Sequence, residues 1–150
     1  EMCIRDSYEA FCSIDSTGRQ VYKQNLHRLL EHIHNVDASI HAILKNLPNR
    51  TFVTAHPSLT YFADDYGLRQ LSIEKNGKEP TPAELSEFIL RCKQENVKTI
   101  LVQPEFSHSS ATVLGQEIGA KVISINPLSY HWDLEMLKTA KALKEGKTFK

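Results

Sequence analysis

No charge of either sign predominates in this 150-residue sequence: 18 lysines and arginines stand against 18 aspartates and glutamates, for a formal net charge of zero. That balance removes the electrostatic footprint of a nucleic-acid binder, which must offset phosphate charge. Long apolar runs are absent too, and nothing nears the roughly 18 consecutive residues of a membrane-spanning helix. Cysteine is scarce. Cys3, Cys12 and Cys92 have neither the close pairing of a zinc knuckle nor the density of a disulfide scaffold. The opening Glu1-Met2-Cys3-Ile4-Arg5-Asp6-Ser7 lacks the basic and apolar regions of a secretory leader. What is present, 41% hydrophobic and 24% charged residues, is the composition of one ordinary globular domain with a real core.

The first seven residues resemble translated adapter read-through, and read equally as an ordinary frayed N-terminus; on either reading residues 1–7, Cys3 among them, say nothing about the fold. A cytosolic protein, or a chain whose front is absent, would both begin this way. From Tyr22 to Leu47 the apolar residues Tyr22, Leu26, Leu29, Ile33, Val36, Ile40, Ile43 and Leu47 are spaced alternately by four and three. This places one stripe along a helix. Asp15, Ser16 and Thr17 offer N-cap side chains, and Pro48 with Asn49 stops the helix. Some 29 helical residues would make a rod of about 43 Å, longer than a compact domain of this size needs. A coiled-coil segment is one reading; the other is a helix whose stripe, near Tyr22 to Ile33, rests partly on a neighbour outside this chain and self-associates without it. His27, His34 and His41 recur two turns apart, and His32 and His34 project differently, so no pair has ligand spacing.

Beyond Pro48 four short β-favouring runs follow: Thr51–Thr54, Gln70–Ile73, Thr99–Val102 and Lys121–Ile125. Helical stretches alternate with them, from about Ser58 to Tyr66 (stopped by Gly67), from a Thr81-Pro82-Ala83-Glu84 capping box to about Glu95, from Ser109 to Ile118 (stopped by Gly119), and from Trp132 to Lys144 (stopped by Gly146). The alternation predicts right-handed βαβ units. The fold class is therefore α/β: a long helix followed by a small Rossmann-like four-stranded parallel sheet with helices on both faces. The chain divides into residues 1–7, a linker and long helix over 8–48, and an α/β lobe over 49–150.

In an open parallel sheet, ligands bind beyond the carboxyl ends of the strands, where strand order reverses. Three strand exits carry a polar side chain beside a proline: Ala55-His56-Pro57, Gln103-Pro104-Glu105 and Asn126-Pro127-Leu128. With strand order 2-1-3-4, the His56 and Gln103 exits flank the switch point. His56 is a natural zinc ligand in that setting, although a histidine there also caps a helix or fills a strand–helix junction. Glu105 reads equally as a surface carboxylate, and Asn126 as a turn former. The stretch AHPSLTYF after the first strand is not the G-x-G-x-x-G of a dinucleotide loop. Asp64 and Asp65 fall within a helix, Cys92 reads as packing, and the run Ser107-His108-Ser109-Ser110 lacks a group to orient a nucleophile–base pair.

The string from Thr51 to Leu68, TFVTAHPSLTYFADDYGL, resembles the C-terminal lobe of the zinc/manganese substrate-binding proteins of ABC transporters. There a strand ends in His and is followed by Tyr-Phe and Tyr-Gly-Leu. The resemblance continues through Glu79-Pro80-Thr81-Pro82, Val102-Gln103-Pro104-Glu105-Phe106-Ser107 and Asn126-Pro127-Leu128, and takes in the long helix, which in that family joins two lobes. It implies a periplasmic or lipid-anchored receptor that captures a divalent metal between its lobes and passes it to a cognate membrane ABC permease. His56 would be this lobe's ligand, and a histidine there favours Zn2+ over Mn2+. Asn126 stands where the family commonly has an aspartate, so water or Glu105 would complete the coordination. The other histidine ligands belong to an N-terminal lobe that this sequence does not contain, and the resemblance predicts only weak zinc binding by this chain. A small nucleotide-binding or acid/base enzyme with His56 or Glu105 as the working group is the competing reading; a helical interaction module dimerising through residues 22–47 is a third.

Overall fold

The computed structural model describes residues 2–74, 77–105 and 109–145. Among them lie six helices and four strands, divided into two compact units, residues 1–39 and 40–150.

In the first unit, α1 (Met2–Ile14) is followed by α2 (Arg19–Leu44), whose last residues belong to the second unit. Helix α1 begins within residues 1–7, so that segment does enter the fold. Asp15 organises the turn between the helices. Its carboxylate accepts from the Thr17 amide and hydroxyl at 3.0 and 2.6 Å, the Gly18 amide at 3.1 Å and the Tyr22 hydroxyl at 2.8 Å. Cys12 is buried. The apolar stripe of this unit is incompletely covered: Leu29 is exposed and Tyr22, Leu26 and Ile33 are only half-buried. Phe11, Ile14 and Val21, outside the stripe, are exposed as well. Helix α2 stops three residues earlier than the periodicity suggests, with the Leu47 amide turned back to the Leu44 carbonyl.

The hydrogen bonds from Thr17, then Tyr22, then Gly18 hold the Asp15 carboxyl down at about 2. Because the folded value lies below the ordinary 3.8, this stabilisation is fully present above about pH 4. It is lost as pH falls through 2. Thermal unfolding followed by circular dichroism between pH 2 and 5 should show a steeper acid loss for the native chain than for Asp15→Asn. Parallel curves would rule out this contribution.

The second unit is built on a parallel sheet. Strands β1 (Thr51–Thr54), β2 (Arg69–Ser72), β3 (Thr99–Val102) and β4 (Lys121–Ser124) are ordered β2-β1-β3-β4, the order that puts the switch point between β1 and β3. All four residues of β3 are buried, as expected of a central strand covered on both faces. Along the strands, Val53, Leu71, Ile100 and Val102 join Cys92, Ala111 and Leu114 in one apolar cluster. The residues that alternate to the opposite face, Phe52, Thr54, Leu101 and Ile123, are buried as well. Burial pushes the Cys92 thiol up to about 11, consistent with a packing role.

The connecting helices are α3 (Thr60–Asp65), α4 (Pro82–Gln94), α5 (Ser109–Ile118) and α6 (Trp132–Glu145). The start of α4 is the capping box read from the sequence: Thr81 Oγ1 accepts the Glu84 amide, and the Glu84 carboxylate accepts the Thr81 amide at 2.9 Å. Gly67 and Gly119 follow α3 and α5 with φ of 60° and 64°, the left-handed conformation that ends a helix at low cost with glycine. Asn96 takes the same conformation after α4, where the Asn49 side chain donates to the carbonyls of Glu95 and Asn96. Gly146, read as the stop of the last helix, lies outside the described residues.

Candidate functional site

Parallel pairing determines which residues meet at the carboxyl edge of the sheet. Strand β1 pairs with β2 through Thr54 and Ser72, and with β3 through Thr54 and Leu101. The ladder continues past the strand ends. Ile73 donates to the Thr54 carbonyl at 3.0 Å and Glu74 to that of Ala55 at 3.1 Å, while Ala55 donates to Leu101 at 3.2 Å. Two residues on from each pair, His56 therefore lies between Glu74 on one side and Gln103 on the other.

The imidazole of His56 is part-exposed, its side chain 40% accessible, whereas that of Glu74 is only 16% accessible. His56 Nδ1 and Glu74 Oε2 are 2.8 Å apart. An ionised carboxylate only accepts, so with Glu74 ionised this bond requires the proton on Nδ1. The turn that follows is fixed from several directions. Ser58 donates its amide to the His56 carbonyl at 2.8 Å and its hydroxyl to Oε1 of buried Gln103 at 2.9 Å, and the Leu59 amide donates to Gln70. Pro57 fixes its own φ between them. The ring thus emerges from a rigid junction at the switch point.

The other candidate residues sit apart from this pair. Glu105 is exposed in the turn after β3. Asn126 follows β4, two strands from β1, which at a strand spacing of about 4.8 Å is roughly 10 Å across the sheet. Its Oδ1 accepts the Leu128 amide at 3.1 Å, making an Asx turn, and its own amide donates to Glu135 at 2.9 Å. Asp64 and Asp65 are exposed on α3 rather than at the carboxyl end of a strand. Ser107 and His108 lie outside the described residues. Among the described residues, no three His, Cys, Asp or Glu side chains are grouped closely enough to hold a metal ion, and no helix is long and apolar enough to cross a membrane.

Glu74 is the residue that sequence reasoning missed. A proline beside a polar residue marks the exits of the first, third and fourth β-runs, but not that of the second. The segment Leu71-Ser72-Ile73-Glu74 carries the same signal without the proline.

Comparison with known proteins places these features in context. Residues 4–145 match the family model described as zinc-uptake complex component A, periplasmic. The high-affinity zinc uptake system protein ZnuA of Bacillus subtilis is 29% identical over 116 residues, covering 76% of this chain and 36% of that protein. The zinc-binding lipoprotein AdcA of Streptococcus pneumoniae is 29% identical over 127 residues, 83% of this chain and 25% of its own length. A crystal structure of ZnuA superposes with a TM-score of 0.88 at 32% identity, covering 91% of this chain and 54% of that one. The chain thus spans about a third or less of the length of these two curated relatives. The enzyme reading draws no support from this company, which is named for metal uptake and metal binding.

Proposed function

Since the chain belongs to the zinc-uptake complex component A family, we propose that it serves metal capture for an ABC importer, with zinc as the cargo and His56 as the ligand offered by this unit. The observation that carries the reading is the His56–Glu74 pair: a part-exposed imidazole at the switch point, held through one nitrogen by a nearly buried carboxylate. That is the usual setting of a metal-bound histidine. A proton on Nδ1 leaves the lone pair on Nε2, and imidazole nitrogen suits zinc better than the harder Mn2+. Asn126 and Glu105 are the further candidates on this edge, with water as the remaining source of ligands. Across the cleft stands a second lobe of the same protein, and the delivered ion passes to the cognate permease. The location that goes with this work is the periplasm, or the cell surface with a lipid anchor; the Bacillus and Streptococcus relatives are named as a zinc uptake protein and a zinc-binding lipoprotein.

A tight zinc site needs three or four protein ligands, and the described residues bring no such cluster together. Calorimetric titration of this 150-residue chain with zinc should therefore show weak binding that disappears in His56→Ala. Weak binding that persists unchanged in His56→Ala would overturn the assignment of His56, and tight stoichiometric binding would show that the other ligands had been misplaced.

A further inference from the structure

We propose that Glu74 is the positioning residue for His56: it holds the imidazole as the Nδ1–H tautomer, so that Nε2 is the atom presented to a divalent ion of the zinc type. This rests on the reading of His56 as a metal ligand and extends it to a residue two positions beyond β2. Three observations carry it. The first is the register, which makes residue 74 the cross-strand neighbour of residue 56. The backbone bond from the Glu74 amide to the Ala55 carbonyl fixes the carboxylate's origin whatever its side chain does. The second is the 2.8 Å contact, made through Nδ1. The third is the burial gradient: the carboxylate is 16% accessible and the ring 40%, so the acceptor lies on the protein side of the imidazole.

Free imidazole in a histidine side chain favours the Nε2–H tautomer, which would place the lone pair on Nδ1, beside the backbone. An acidic acceptor at Nδ1 reverses that choice. Loss of such a partner typically weakens metal binding by about 10- to 100-fold.

The inference is tested on the 150-residue chain by long-range proton–nitrogen NMR of the His56 ring in metal-free protein at alkaline pH, together with zinc titrations of the same samples. Native protein should show the Nδ1–H pattern. Glu74→Ala should move His56 toward Nε2–H and weaken zinc binding about tenfold or more. Glu74→Gln, whose amide oxygen still accepts from Nδ1, should keep the native tautomer and most of the affinity. That rescue separates positioning from a merely structural role. An unchanged tautomer in Glu74→Ala, or undiminished zinc affinity there when His56→Ala has lost it, would overturn this proposal alone. Zinc affinity undiminished in His56→Ala would overturn the metal reading, and the role of Glu74 toward the ion with it.

Discussion

Phe52→Ala is expected to lower the stability of this chain by about 3–5 kcal/mol, the usual cost of emptying a buried aromatic site. Phe52 is 1% exposed and heads the large, fully buried side chains of the second unit. It lies on β1, between β2 and β3, where the backbone is tied on both sides and cannot close over a void. A domain of this size is stable by only about 5–15 kcal/mol in total. The loss therefore removes at least about a fifth of the margin, and most of it if the total lies at the low end. Urea denaturation should show the midpoint fall sharply with little change in slope. Leu90→Ala is the internal comparison: Leu90 is 62% exposed on α4, and its loss should stay within about 0.5 kcal/mol. Equal effects at the two positions would mean that the side of the sheet carrying Phe52 is not a packed core.

The same burial explains which parts of the fold were legible. Strands β1 and β3 fall on the residues read from the sequence because both lie inside the sheet and consist of compact β-favouring runs. Strand β2 is displaced by one residue, to Arg69–Ser72 from Gln70–Ile73, because it is an edge strand. Its polar outer residues give no clear period, and its limits are set by pairing of Thr51 with Arg69. Strand β4 is assigned one residue shorter, though the Ile125 amide still donates to Val102. Caps and stops were legible because Thr81, Glu84, Gly67 and Gly119 act within one turn of chain. Helix α1 is a different case: Ile4, Tyr8 and Phe11 have helical spacing, but the segment opens on residues that resemble read-through.

For the candidate site, the edge was legible and the partner was not. Proline beside a polar residue marked His56, Gln103 and Asn126. Glu74 meets His56 only through the register of two parallel strands separated by a helix, and register is a tertiary property. The Asx turn of Asn126 was one of the two readings that its residue type allowed.

Asn126→Asp should tighten zinc binding by about tenfold or more. An amide oxygen is a weak donor to zinc, whereas a carboxylate adds a full negative charge near a dication. At about 4 Å and an effective dielectric near 20, one pair of unit charges is worth about 4 kcal/mol. Solvent at a half-exposed position takes most of that, and about 1.4 kcal/mol suffices for a factor of ten. Aspartate keeps the acceptor for the Leu128 amide, so the turn after β4 survives. The new charge faces the Glu135 carboxylate that binds the Asn126 amide, but Lys138 already lies 3.0 and 3.2 Å from the Glu135 oxygens and offsets part of the repulsion. Metal-free stability should consequently change little. Comparing zinc titrations of native, Asn126→Asp and His56→Ala/Asn126→Asp chains then locates the ion. A gain from Asn126→Asp that vanishes when His56 is removed requires one zinc held from both β1 and β4, above the exit of β3. A gain that survives removal of His56 would instead place the ion at the β4 exit alone, and no gain at all would take residue 126 out of the coordination shell.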